Sequence, residues 1–177
     1  MRTVAALLLA LGLALQGAAP VPRPAGNFTA IAPSGQPFSL ADYKGKVIVV
    51  QFLYTWCSHC QETARMLSKI QNEMGPKGLQ VIGVAFNDEV NTKNIAGNSL
   101  EITKFKSHAN FPLGIAAKAA VIKYLGISVM DQGFGVPQLV IIDRKGTIQA
   151  QTESKPTGAL LAEPNLRARI AKILDAK

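Results

Sequence analysis

Two cysteines, Cys57 and Cys60, stand in the stretch Trp56-Cys57-Ser58-His59-Cys60, and the chain has no others. Thiols separated by two residues can close a small disulfide ring and reopen it, so the pair can carry two electrons. If a helix begins here, Cys57 lies at or beside its N-cap. Free backbone N–H groups and the positive end of the helix dipole favour a thiolate over a thiol at that place. Such a thiolate is an attacking nucleophile. Cys60, one turn inside, would be more buried, stay protonated until needed, and then resolve a mixed disulfide between Cys57 and a substrate. An imidazolium at His59 would hydrogen-bond the sulfur region and push the couple towards oxidising potentials. A solvent-exposed loop histidine would do neither, and both readings stand at this point.

Other chemistries compete for the same residues. A purely structural disulfide over a ring of four would restrict the unfolded chain by only about 2 kcal/mol, and a stability device links more distant positions. Cys57, Cys60, His59 and His108 add up to four soft metal donors, which keeps a metal- or copper-handling chaperone as the alternative function. Adjacent His59 and Cys60 project awkwardly for one tetrahedron, however, so no metal site is assigned. A peroxide-reducing cysteine would be preceded at fixed distances by a Pro and a Thr, where this chain has Val50 and Tyr54. Two inert core cysteines fit poorly beside Trp56, Ser58 and His59.

The elements that must position the thiols are legible on either side. Residues 46–54 (KVIVVQFLY) form a nearly continuous β-branched and aromatic run, the pattern of a strand buried on both faces. After it, Cys60, Ala64, Leu67, Ile70 and Met74 recur at spacings of three and four, which predicts an amphipathic helix ended by Gly75-Pro76. A second buried strand is expected at 79–85, a polar loop at 87–98, and helical spacing around Ile102, Phe105 and Lys106 and again over 116–125. Gly135-Val136-Pro137 precedes the strand 138–142, the turn 143–146 and a returning strand 147–152. Leu166, Ile170, Ile173 and Leu174 make the stripe of a last helix. Strand, helix, strand, helix, hairpin, helix is an α/β arrangement with a mixed sheet. The cysteines then fall at the sheet edge where open α/β folds place their ligands.

The chain has 177 residues, 48% of them apolar and 17% charged, which suits one globular domain. Residues 1–19 (MRTVAALLLALGLALQGAA) have the basic start, uncharged run and small-residue end of a signal peptide, too short to span a bilayer comfortably. An exported protein, periplasmic or extracellular, is expected, with a membrane tether if cleavage fails. Residues 20–26 (PVPRPAG) read as a Pro-rich linker, leaving 27–177 as the folded domain. Without residues 1–19, Lys plus Arg falls from 19 to 18 against 11 acids. These basic residues are scattered singly, which argues against nucleic acid and for solubility.

The segments VIVVQFLYTWCSHC and GVPQLVIIDRKGTI together resemble the exported TlpA/ResA-like group of thioredoxin-fold proteins, from about Phe28 to the C-terminus. The resemblance implies a thioredoxin fold: a central mixed β-sheet flanked by helices, with an N-terminal extension and a central βα insertion over about 91–125. It implies that Cys57 is the nucleophile and Cys60 the resolving thiol of a redox-active disulfide, with no other cofactor. Trp56 matches the aromatic that packs beside the disulfide, and Trp56, Ser58 and His59, with Val136 and Pro137, are the expected substrate-binding or tuning residues. Pro137 matches a proline after a cis peptide bond, and the backbone of Val136 then pairs with an extended substrate. The implied partners are protein thiols or disulfides and a membrane electron donor, with the protein a monomer and most relatives reductants. A disulfide-donating oxidase tuned by His59 is the other direction. Three positions depart from the pattern. Gln51 stands where thioredoxins bury an acid, Thr63 where the cytochrome c maturation branch often has one, and residues 128–134 lengthen the loop before Gly135.

Overall fold

Val47–Leu53 reads VIVVQFL, and every one of its seven residues is buried, because it lies in the middle of a sheet covered on both faces. The computed structural model describes residues 19–87, 101–128, 134–156 and 158–176. Among them are the strands β1 (Arg23–Pro24), β2 (Thr29–Ile31), β3 (Pro37–Ser39), β4 (Val47–Leu53), β5 (Leu79–Ala85), β6 (Leu113–Ile115), β7 (Gln138–Ile142) and β8 (Thr147–Gln151). The helices are α1 (Ser58–Met74), α2 (Lys118–Leu125) and α3 (Glu163–Asp175), and residues 101–105 are also helical. The strands make one sheet in the order β1-β8-β7-β4-β5-β6-β2-β3. β4 runs parallel to β5 and antiparallel to β7, so the sheet is mixed as expected.

Alternation along β4 divides the core in two. Val47, Val49 and Leu53 face a cluster with Ala64, Leu67 and Ile70 of α1 and Leu166, Ile170 and Ile173 of α3. Ile48, Val50 and Phe52 face the other cluster, with Val121 and Leu125 of α2 and Phe28 from the N-terminal side. Each side chain so enclosed contributes about 2 kcal/mol of apolar burial, which fixes α1 against the sheet and its first turn beside the end of β4. Arg167 of α3 pairs with Glu73 of α1 and, at 2.8 Å, with Glu163, adding a polar tie between the two helices.

The central βα insertion is present as β6 and α2, with Ile102 and Phe105 buried where helical spacing placed them. The N-terminal extension forms the hairpin β2–β3, which joins the sheet through Ile31 opposite Ile115. Residues 20–26 differ from the linker expected of them. Arg23 and Pro24 pair with Ile148 and Thr147, and Ala25 is buried with its N–H on the Gly146 carbonyl at 2.9 Å. Arg23 Nη2 donates to the Tyr124 carbonyl (3.0 Å) and to Gln151 Oε1 (2.6 Å), which holds the strip down. Prolines are tolerated here because an edge strand leaves one row of N–H positions without a ladder partner. The signal peptide reading lies outside the described residues apart from Ala19, as do most of the polar loop 87–98 and of the lengthened loop 128–134.

Candidate active site

Cys57 is the N-cap of α1, in extended conformation (φ −78°, ψ 117°), and its Sγ accepts the Cys60 N–H at 3.3 Å. The helix starts here because residues 54–57 turn sharply off β4. The Cys57 N–H reaches the Tyr54 carbonyl at 3.2 Å, and Gln61 N–H closes on the Cys57 carbonyl at 3.0 Å. Gln61 Nε2 caps the Thr55 carbonyl (3.1 Å), and Thr55 N–H donates to Asn87 Oδ1 just beyond β5 (3.4 Å). The turn is thus pinned to the ends of both parallel strands. Cys57 is half-buried, Cys60 is fully buried, and both are free thiols.

Burial pushes the Cys60 thiol up, and its hydrogen bond to the Cys57 side chain adds to the push against a smaller lowering by the Tyr54 backbone. Cys60 therefore holds its proton when the site is reduced. Gln51, buried completely in β4, donates from Nε2 to the Cys60 carbonyl at 2.8 Å, so the amide in the acid's place fixes the first turn of α1 rather than titrating. Among the described residues its Oε1 has no hydrogen-bond partner, and neither has the hydroxyl of Thr55.

The peptide bond between Val136 and Pro137 is cis. With His59, Glu62, Thr63, Met66, Pro156 and Leu161, these two residues line an open groove of about 350 Å³ beside the cysteines. No hydrogen bond engages the Val136 N–H or C=O among the described residues, and Val136 lines the groove. Thr63 is buried at the groove wall. Ser58 is exposed in the first turn of α1. Trp56 is 62% exposed, and its ring lies 5.2 Å from that of Tyr54, which in turn contacts Phe86 at 4.8 Å.

The residues named from the sequence are not all brought to the sulfurs. His59 turns outward, its Nδ1 3.6 Å from Glu62 Oε2 with both side chains largely exposed, so its nearest charged neighbour is a carboxylate. His108 lies against Phe105, ring centroids 5.8 Å apart, and no group of three or more His, Cys, Asp or Glu poised to hold a metal occurs among the described residues. Val50 is buried against the α2-side cluster and Tyr54 packs on its edge, so the positions that a peroxide site would give to Pro and Thr are apolar packing. Sequence reasoning missed Met66, Pro156 and Leu161 of the groove, and it missed Gln138. Gln138 carried a signal: a polar residue opening an otherwise apolar buried strand needs buried partners.

A helix-capping thiol over a buried partner thiol, at the edge of this sheet and beside a cis-proline loop, defines a thiol–disulfide oxidoreductase of the thioredoxin fold. The sequence profile of the AhpC/TSA family matches residues 21–151, and the chain belongs to that family. It is similar to the thiol-disulfide oxidoreductase ResA of Bacillus thuringiensis subsp. konkukian, 23% identical over 142 residues that cover 80% of this chain and 74% of the relative. It is also similar to the thioredoxin-like protein YneN of Bacillus subtilis, 30% identical over 71% of this chain and 66% of that protein. Among solved structures, the thioredoxin domain of a thiol-disulfide oxidoreductase from Bacteroides vulgatus superposes with a TM-score of 0.66 at 23% identity, covering 89% of this chain and all of that one. Among the described residues no helix is long and apolar enough to cross a membrane.

Proposed function

We propose that the protein is an exported reductase of protein disulfides that works through a mixed disulfide on Cys57. The observation that carries this reading is the inequality of the two thiols: Cys57 is half-buried at the helix N-cap and receives an N–H bond, whereas Cys60 is fully buried and keeps its proton. The Cys57 thiolate attacks one sulfur of a substrate disulfide, forming a Cys57–substrate bond and releasing the other substrate sulfur as a thiolate that takes a proton. Cys60 then loses its proton and attacks Cys57 Sγ. The Cys57–Cys60 bond forms, the second substrate thiol leaves, and two electrons have passed to the substrate. A dithiol donor, expected at the membrane, returns the pair to the reduced state. An extended substrate fits along Val136, whose open N–H and C=O suit strand addition. Export rests on the signal-peptide pattern of residues 1–19.

The direction of transfer is read from the potential of the Cys57–Cys60 couple in glutathione buffers, followed by Trp56 fluorescence. A value near or below about −270 mV supports the reductase; one near about −120 mV makes the protein a disulfide donor instead. Cys57→Ser is expected to abolish dithiothreitol-dependent insulin reduction, and unchanged activity in that variant removes the mechanism.

A further inference from the structure

At the active-site end of the sheet β7 and β8 part company. β8 ends at Gln151, and residues 152–156 run on to Pro156 in the groove wall, while the chain before β7 brings Val136 and Pro137, just after Gly135, into the lining of the same groove. Separation of two strands strands their backbone groups: the carbonyls of Gly135, Glu153 and Ser154 lie beyond the last ladder rung. One side chain gathers all three. Gln138 Nε2 donates to the Gly135 carbonyl at 2.8 Å, the Ser154 carbonyl at 3.0 Å and the Glu153 carbonyl at 3.1 Å, so its two hydrogens serve three acceptors.

The amide can face only one way. Its Oε1 accepts the Thr152 hydroxyl at 2.5 Å, and Thr152 Oγ1 in turn accepts the Leu139 N–H at 3.0 Å. A flip would set Oε1 against three carbonyl oxygens and leave the Thr152 hydroxyl facing an NH2. Gln138 is completely buried and Thr152 and Ser154 nearly so, so water does not replace the bonds to the Thr152 hydroxyl and the Ser154 carbonyl. One more bond, Gly135 N–H to the Ser154 carbonyl at 2.9 Å, and the close approach of Gly135 to Pro156 complete the junction. A Cβ on Gly135 would stand 3.0 Å from Pro156 Cδ.

We propose that Gln138 is a positioning residue that ties the Val136 loop to the segment leading to Pro156 in the groove lining, and so decides how well a protein disulfide docks along Val136, without acting on the thiols themselves. This rests on the reading of the groove as the protein-disulfide site. Among the described residues the Gln138 side chain hydrogen-bonds the loop that carries Val136 and residues 152–154, and neither cysteine. Loss of its NH2 takes a hydrogen bond from each of the Gly135, Glu153 and Ser154 carbonyls, of which Ser154 keeps only the Gly135 N–H, and lets Val136 and Pro156 shift relative to each other, whereas Cys57 and Cys60 stay fixed by α1 and β4.

The test compares the full chain with Gln138→Met and Gln138→Glu, each first shown by circular dichroism to be folded. Two substrates are used: insulin, which must dock, and bis(2-hydroxyethyl) disulfide, which has no chain to lay along Val136. The expected result is an insulin KM raised about tenfold with kcat within about twofold, and an unchanged rate with the small disulfide, since a modest misplacement of a docking element weakens only what it docks. The Cys57–Cys60 potential should not move. Unchanged insulin KM in folded variants overturns the proposal, and so does an equal loss on both substrates or a shifted potential. Wild-type protein that cycles with the small disulfide but ignores insulin removes the protein-disulfide reading instead. In that outcome hydrogen exchange still judges the junction: the Gly135 N–H should exchange faster in Gln138→Met, and unchanged protection overturns the role assigned to Gln138.

Discussion

The two ends of the sheet around β4 and β7 are built in unlike ways. At its far end the turn 143–146 satisfies itself. Asp143 accepts from the Lys145 and Thr147 N–H groups, each at 2.9 Å, and from Gln149 Nε2 at 2.8 Å, while its own N–H reaches the Thr147 carbonyl. Arg144 Nη1 closes on the Leu174 carbonyl at the end of α3. At the cysteine end, by contrast, Gln51 Oε1 and the Thr55 hydroxyl are buried with no partner among the described residues, and no hydrogen bond there engages the Val136 backbone. A closed turn needs nothing further, and it is built for stability. The open end keeps hydrogen-bonding capacity free beside two thiols, at some cost in stability, and that is the end where a second chain can be accepted.

The largest effect should come from the open end. Cys60→Ser removes the resolving thiol but leaves Cys57 and the groove intact, so multiple turnover should fall by about 100-fold or more while mixed disulfides accumulate on non-reducing gels. Turnover without accumulation would place resolution elsewhere. The same buried thiol makes a pH statement. Its folded value is raised, so the stability that the reduced protein draws from a protonated Cys60 is complete below the unfolded thiol range, about 8.5, and is lost as pH rises above it. Denaturant titrations of the reduced protein should show that loss between pH 8 and pH 10, given about 8.5 for an unfolded thiol, and Cys60→Ser should not.

Much of this contrast was readable in the residues. VIVVQFL and QLVII announce central strands because β-branched runs without alternation must be covered on both sides, and the Cys57–Cys60 spacing carries its chemistry wherever a helix begins. The three-residue strands β2, β3 and β6 carry no such pattern. Their place depends on partners far along the chain, such as Ile115 opposite Ile31. Residues 20–26 looked like a linker because Pro and Gly dominate them, and only Arg23 reaching Gln151 reveals why they lie down. Gln51 and Gln138 are the same lesson inside the core. A polar residue in an apolar run says that partners exist, but the partners, the Cys60 carbonyl in one case and three loop carbonyls in the other, are set by tertiary structure.

At the closed end, Asp143→Ala removes three acceptor contacts of a carboxylate and should cost about 3 kcal/mol in chemical denaturation, with insulin reduction unchanged. Burial pushes the Asp143 carboxyl up, but the hydrogen bonds from Thr147, Gln149 and Lys145 and the Lys145 charge outweigh it and hold the group below its ordinary value. The contribution is therefore present above the unfolded carboxyl range, about 3.9, and fades as pH falls below it. The difference between wild type and Asp143→Ala should shrink accordingly in acid. A loss of activity without a loss of stability would break the division between the two ends.

Thr55→Val should have the smallest effect, and its sign is what matters. The Thr55 hydroxyl is buried with no hydrogen-bond partner among the described residues, and the backbone of Thr55 does the positioning through Gln61 and Asn87. Valine keeps the shape and removes a desolvated hydroxyl, so the expected change lies between zero and about 1 kcal/mol of added stability. An Ala or Ser there would lose packing or keep the problem, so valine isolates the hydroxyl. If the oxygen is only an uncompensated group, thermal unfolding shifts upward slightly and insulin reduction is unaltered. If stability rises while reduction slows, the unpaired hydroxyl belongs to the chemistry of the open end, supplying a hydrogen bond that exists only while the thiols react. A fall in stability would show that the hydroxyl is satisfied in the folded protein, and the contrast between the two ends would rest on Gln51 and Val136 alone.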